Sequence, residues 1–156
     1  MIDDDVFTMD ERRYPHHPIP GVGAIVVSNK GVLLARRDKA PGKGLWSIPG
    51  GAVELGETQK ESVIREVLEE TGVLCEVIKL VSTADLITLD ESGSVEFHFL
   101  LNHYLARSTG GVLKPEFPDG EVGWFHPDKL PKEMVNQEII DLLTSVRELI
   151  LKSMNQ

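Results

Sequence analysis

The chain has 156 residues and a mass of 17.3 kDa, which suits one compact domain and leaves no room for two ordinary ones. Its 25 acidic and 16 basic residues give a formal net charge of −9, which opposes coating of nucleic acid by counterion release and adsorption to an anionic membrane. Charged residues at 26% and hydrophobic ones at 41% exclude wholesale disorder, and no apolar run approaches the ~18 residues of a spanning helix.

Residues 1–19 read as an acidic, proline-containing arm. Asp3, Asp4, Asp5, Asp10 and Glu11 repel one another, and Pro15, Pro18 and Pro20 bracket His16 and His17. The arm lacks the apolar stretch of a secretory signal, and the histidine pair has no third metal ligand at useful spacing, so a solvated tail is expected. Residues 20–156 form the folded domain. Within it GVGAIVVS, Asn29-Lys30-Gly31 and VLLARR read as strand, turn and strand of a hairpin. DKAPGKGLW and SIPGGAVELGE, rich in Gly and Pro, read as loops.

The period then changes. Val63, Ile64, Val67 and Leu68 fall on one face of a helix running from Thr58 to Thr71. Thr58 with Glu61 makes a capping box, and Gly72 suits the left-handed residue that ends the helix. Two strands follow, EVIKLVSTADLITL and SVEFHFLLNHYLA, the second placing Phe97, Phe99, Leu101, His103 and Leu105 on one face. Residues 108–121 read as an acidic loop and VGWFHP as a short strand. Val135, Ile139, Leu142, Leu143, Val146, Leu149 and Ile150 mark one amphipathic closing helix. This order predicts an α/β sandwich with the sheet between helices. The single cysteine, Cys75, excludes an internal disulfide and a cysteine-built zinc site, and fits a reducing, cytoplasmic setting.

The chemistry is concentrated between Gly51 and Val73, where six glutamates face only Lys60 and Arg65. Glu66, Glu69 and Glu70 project from one flank of the helix, and such neighbours repel by about a few tenths of a kcal/mol per pair even when solvated. A solvated, ion-paired surface helix is one explanation, supported by Glu61–Arg65 and Arg65–Glu69 at i,i+4. A hard divalent cation is the other, because Mg²⁺ and Mn²⁺ prefer carboxylate oxygens. The apolar residues are expected on the opposite side, leaving the acidic flank to line a cleft.

The string GAVELGETQKESVIREVLEETGV fits the pattern G-x5-E-x7-R-E-U-x-E-E-x-G-U, where U is a bulky aliphatic residue. Gly51, Glu57, Arg65, Glu66, Val67, Glu69, Glu70, Gly72 and Val73 occupy every defined position. The string resembles the Nudix box, and the resemblance extends from about residue 20 to the C-terminus. It implies an α/β/α sandwich, with a mixed sheet between helices, that hydrolyses a pyrophosphate bond in a nucleoside diphosphate linked to another moiety. The implied cofactor is Mg²⁺, with Mn²⁺ able to substitute. The resemblance assigns metal binding to Glu66, Glu69 and Glu70, with a carbonyl of Gly50 or Gly51 as a further ligand. Arg65 would orient the carboxylates, Glu57 would lie close to the metal, either directly or through Arg65, and Glu69 or another glutamate would accept the proton of the attacking water. A downstream carboxylate is also implied, and Glu116, Asp119 and Glu121 all stand in the matching loop.

For the substrate, Trp46 is either a base-stacking residue or a core residue. Arg37 could contact base or phosphate, and Arg37 and Asn136 match the places where the MutT branch touches the base, although Ile48 stands where that branch has an aromatic residue. His98, His103 and His126 read as sheet or loop residues. The leading strands resemble proteins called ADP-ribose pyrophosphatases, which implies an ADP-ribose-like substrate; (d)NTP pyrophosphohydrolysis of the MutT type and a catalytically silent nucleotide sensor are the alternatives. Similar proteins are commonly homodimers, so a homodimer is a further expectation, and no nucleic-acid or membrane partner is expected.

Overall fold

A computed structural model describes residues 12–40, 42–134 and 137–156. The leading hairpin forms as expected. Strand β1 (Ile19–Ser28) turns through Asn29-Lys30 into β2 (Gly31–Arg36), pairing Ser28 with Gly31. Gly31 has a φ of +127°, and a Cβ there would stand 2.2 Å from the Phe125 carbonyl oxygen, so no other residue fits the turn.

The stretch expected as two loops contains two short strands, β3 (Trp46–Ser47) and β4 (Gly50–Ala52). Strand β4 pairs antiparallel with β1 by laying Gly50 and Gly51 against Gly23 and Val22. A Cβ on Gly50 would come within 2.2 Å of the Val22 carbonyl oxygen. Its glycines look like loop punctuation in the sequence, yet here they permit close backbone approach.

Helix α1 (Gln59–Thr71) carries the full capping box, Thr58 with Glu61, and ends at Gly72 with φ +76°. Its buried face differs from the expected one. Ser62, Val63, Val67 and Thr71 are buried, whereas Ile64 and Leu68 are exposed. The helix is rolled so that Glu66 and Glu70 flank the buried stripe instead of opposing it. Its i,i+4 apolar pairs 63/67 and 64/68 are equally periodic, and the sheet accepts only the first.

Strands β5 (Val73–Leu89) and β6 (Val95–Gly111) form a long antiparallel hairpin with four register shifts. Asp90 closes its turn by accepting from the Ser92 and Ser94 amides, each at 2.9 Å. Strand β6 runs on to Gly111, so four residues expected in the acidic loop belong to the sheet. Strand β7 (Val122–Phe125) pairs with β2. The closing segment is two helices, α2 (Gln137–Ser145) and α3 (Arg147–Met154), interrupted at Val146. At the break the Ser145 hydroxyl and the Val146 amide both donate to the Leu142 carbonyl. Asn136 and Val135 lie outside the described residues.

The seven strands make one mixed sheet of order β3-β2-β1-β6-β5, with β4 on β1, β7 on β2, and β1 parallel to β6. Val63 and Val67 of α1 pack on one face, against Val22, Ala24, Val26 and Ala106. Ile139, Leu142, Leu143 and Ile150 of α2 and α3 pack on the other, against Ile25, Val27 and Leu105. This is the expected α/β/α sandwich. Burial of each such aliphatic side chain contributes about 1.5–3 kcal/mol.

The described end of the arm is docked rather than loose. The Arg12 guanidinium lies 6.0 Å from the Phe99 ring centroid and that of Arg13 lies 5.6 Å from Phe97. Tyr14 donates to Asp90 at 2.7 Å. His16 and His17 are exposed, and residues 1–11 lie outside the described residues.

Candidate active site

The site forms where α1 crosses β4. A Cβ on Gly51 would stand 2.6 Å from Glu66 Oε1, so the bare glycine lets the Glu66 carboxylate lie against the strand. The Gly50 amide donates to Glu70 Oε2 at 3.3 Å. Arg65 ties the cluster together. Its Nε and Nη2 grip both oxygens of Glu57 at 2.6 and 2.9 Å, while Nη1 reaches Glu66 at 2.8 Å and Glu69 at 3.2 Å. Nη2 also donates to the Ala52 carbonyl. Arg65 therefore orders carboxylates through a bidentate fork.

The electrostatics separate these acids. The Arg65 hydrogen bonds hold Glu57 down at about 2. Glu66 is pushed above its ordinary value by burial, against the pull of Arg65. Glu70 is pushed well above its ordinary value, first by burial and then by the charge of Glu66. Two carboxylates that resist ionisation beside each other create demand for positive charge that Arg65 alone does not meet. Among the described residues no three acidic, histidine or cysteine side chains close into a ready metal cage. The donors are nevertheless all oxygen, with Glu66 and Glu70 partly buried and Glu69 exposed at the rim, which fits a hard divalent cation.

This cluster lines a cleft of about 360 Å³. Glu116, from the loop before β7, lines the same cleft and is raised by burial and by the charges of Asp38 and Glu66. Glu121 also lines it but pairs with Arg36 at 2.8 Å, and Asp119 is exposed outside it. Arg37 lines the cleft, lowered by burial against the raising influence of Glu70. Trp46 is not in the site. It is buried in the α2–α3 side of the core, edge-on to Phe125 at 5.1 Å, because β3 pairing turns its ring inward. The base-stacking expectation for Trp46 is thereby corrected.

A second cavity, of about 490 Å³, opens beside the first on the α2 face of the sheet. It is lined mainly by apolar side chains, among them Ile48, Leu86, Phe99, Leu101, Ile139 and Leu142. Arg12, Arg37, Ile48, Gly50 and Gly51 line both cavities. The lining also includes residues outside the site expected from the sequence, among them Arg12, in the arm expected to be solvated, and His103, expected as a sheet residue. The available signal for His103 was its place in an otherwise apolar period-two row.

A family profile described as NUDIX domain matches residues 17–144. The chain belongs to the Nudix family. Among curated Nudix relatives, an ADP-ribose pyrophosphatase of Methanocaldococcus jannaschii is 34% identical over 124 residues, covering 80% of this chain and 71% of its own length. An 8-oxo-dGDP phosphatase of Mus musculus is 36% identical over 116 residues, 72% of this chain but 33% of that protein. The chain thus spans only about a third of some longer Nudix relatives. The crystal structure of a MutT NUDIX hydrolase from Burkholderia pseudomallei superposes with a TM-score of 0.72 at 32% identity, covering 84% of this chain and 99% of that one. The chain is accordingly a member of the Nudix hydrolase family, with relatives that are named pyrophosphatases. Among its described residues no helix is long and apolar enough to cross a membrane.

Proposed function

We propose that this Nudix enzyme hydrolyses the pyrophosphate bond of a nucleoside diphosphate linked to another group, with ADP-ribose-like compounds as its substrate class and Mg²⁺ as its cofactor. The observation that carries the reading is the set of partly buried carboxylates at β4, opening directly into a cavity of nucleoside size. Glu66, Glu69 and Glu70 would hold the ion, with a Gly50 or Gly51 carbonyl, and Mn²⁺ would serve in place of Mg²⁺. A bound divalent ion supplies charge neutralisation at the phosphates and a water of lowered pKa. Arg65, itself held by Glu57, orients the carboxylates of Glu66 and Glu69. Glu116 is the favoured downstream carboxylate, since it stands in the cleft with a raised proton affinity, whereas Glu121 is engaged by Arg36. Arg37 and Arg12 place positive charge at the junction of the cavities, where the substrate's phosphates meet its nucleoside.

The relative named for ADP-ribose favours that substrate class. A (d)NTP of the MutT type is the second reading, favoured by the MutT-named structure that matches most of this chain. A silent sensor is disfavoured, because every carboxylate of the box is present. Incubation with ADP-ribose, dGTP and 8-oxo-dGDP in Mg²⁺, followed by ³¹P NMR, separates these. ADP-ribose is expected to yield AMP and ribose 5-phosphate. Pyrophosphate from dGTP alone would support the second reading, and no turnover of any nucleotide would support the sensor.

A homodimer is also part of the proposal. The outer strand β5 leaves Leu74, Ile78, Leu80, Ile87 and Leu89 exposed, which favours pairing of two copies along it. Sedimentation equilibrium at twice the chain mass would support this, and a monomer at high concentration would refute it.

A further inference from the structure

On β6, Phe97, Phe99, Leu101, His103 and Leu105 form a period-two row facing α2, and His103 is its one polar member. His103 is 4% exposed. Its Nδ1 is sealed from solvent and has no hydrogen-bond partner among the described residues. Burial lowers the ring's proton affinity, so the imidazole is neutral. A leucine at this place would complete the apolar row without leaving a buried nitrogen unpaired. Folding therefore gives no reason for the histidine, and an unpaired buried polar group calls for another explanation.

The backbone makes room for the ring. Gly23 of β1 pairs in register with His103, and a Cβ on Gly23 would stand 2.7 Å from His103 Cδ2 and 3.4 Å from Nε2. Any side chain at Gly23 would displace the imidazole. Gly23, His103 and Ile48 all line the apolar cavity, and Ile48 also borders the carboxylate cleft. With Nδ1 walled off, Nε2 is the ring nitrogen on the cavity side. A cavity of this size, with apolar walls at Leu86, Phe99 and Leu101, this one imidazole, the shared Arg12 and Arg37 at the junction and Glu138 and Asp141 on the α2 side, suits a flat heterocycle with a hydrogen-bonding edge.

We propose that His103 is a specificity-determining residue, whose Nε2 hydrogen-bonds the polar edge of the nucleotide's base while the phosphates lie at the carboxylate cluster. The inference rests on the hydrolase reading for the placement of the phosphates. Its test is separate, because it reads binding as well as turnover.

The full chain, His103→Leu and His103→Gln are titrated calorimetrically with AMP, GMP and UMP, with ribose 5-phosphate as a base-free control, and melted in parallel. His103→Leu is expected to melt at the same temperature or higher. It should bind the preferred monophosphate at least about tenfold more weakly, and differences among the three bases should flatten. His103→Gln should recover part of the preference, and ribose 5-phosphate binding should not change. An unchanged base preference in His103→Leu would overturn the proposal. So would a lower melting temperature with equal weakening of ribose 5-phosphate, which marks a structural role, or a wild-type protein that binds none of the monophosphates. Should His103→Leu not fold, the base preference of His103→Gln decides, and a preference identical to wild type in that variant and in His103→Asn would refute the assignment. Base-selective binding without any pyrophosphate hydrolysis would remove the hydrolase reading and leave His103 in place. Hydrolysis with base selectivity unaltered in the variants would do the reverse.

Discussion

The two cavities that meet at Gly50 and Gly51 are made of opposite materials. On the α1 side, Glu66, Glu69, Glu70 and Glu116 crowd a cleft whose central cation, Arg65, is already shared among Glu57, Glu66 and Glu69. On the α2 side the exposed wall is mainly aliphatic and aromatic, with charge confined to Arg12 and Arg37 at the junction and Glu138 and Asp141 on α2, and the single imidazole is neutral. The first surface crowds carboxylates that favour an added cation, and the second favours a ligand that displaces water from its apolar wall. A molecule that joins an anionic pyrophosphate to a flat, weakly polar base satisfies both at once. Neither half alone identifies such a ligand.

The contrast can be tested from each side. The largest expected effect lies in the acidic cleft. Glu66→Gln or Glu69→Gln should lower kcat by roughly 10²–10³-fold in Mg²⁺, with an unchanged circular dichroism spectrum. Near-normal turnover would place the chemistry elsewhere.

On the α2 side the counterpart is Trp46. Because its ring is core rather than site, Trp46→Ala should cost about 3–5 kcal/mol of unfolding free energy in urea while leaving KM of the folded fraction unchanged. A raised KM with normal stability would return it to the cavity.

The third effect is smaller and concerns acid. Glu70 in the folded protein has its proton affinity well above the ordinary 4.5. Stability from its protonated form is therefore present at low pH and lost as pH rises through the folded value. Glu57, held at about 2, behaves oppositely, and its contribution fades only as pH falls toward that value. Metal-free protein should accordingly melt higher at about pH 5 than at about pH 7.5, and Mg²⁺ should stabilise it more at the higher pH. Glu70→Gln should abolish most of both trends, as differential scanning calorimetry can show.

The smallest effect is expected at the junction. Arg12→Ala should raise KM roughly five- to tenfold with little change in kcat, and Arg12→Lys should recover part of the loss. Equal KM in all three proteins would reduce Arg12 to an anchor on Phe99.

Local signals in the sequence were sufficient wherever the structure is decided locally. The Asn29-Lys30-Gly31 turn, the Thr58–Glu61 box and the left-handed Gly72 each depend on a few adjacent residues, and each formed as read. The spacing of Glu66, Glu69 and Glu70 likewise follows from helical geometry. What the sequence left open depends on partners far along the chain. Whether α1 buries Val63 or Ile64 is decided by the sheet it meets. Whether Gly50 is loop or strand is decided by Val22, which must tolerate its close approach. Arg12 lines the site with its guanidinium over the ring of Phe99, a residue far away in sequence. The break at Val146, where the Ser145 hydroxyl shares the Leu142 carbonyl with the Val146 amide, is a detail that an unbroken apolar period conceals.

The account depends above all on a divalent ion being bound among Glu66, Glu69 and Glu70. Mn²⁺ binding followed by electron paramagnetic resonance, in the wild type and in Glu66→Gln and Glu70→Gln, measures this without reference to any substrate. The account predicts saturable binding in the wild type, at least tenfold weaker in either variant, with Mg²⁺ competing for the same site. Wild-type protein that leaves Mn²⁺ free, or variants that bind it as tightly as the wild type, would contradict it.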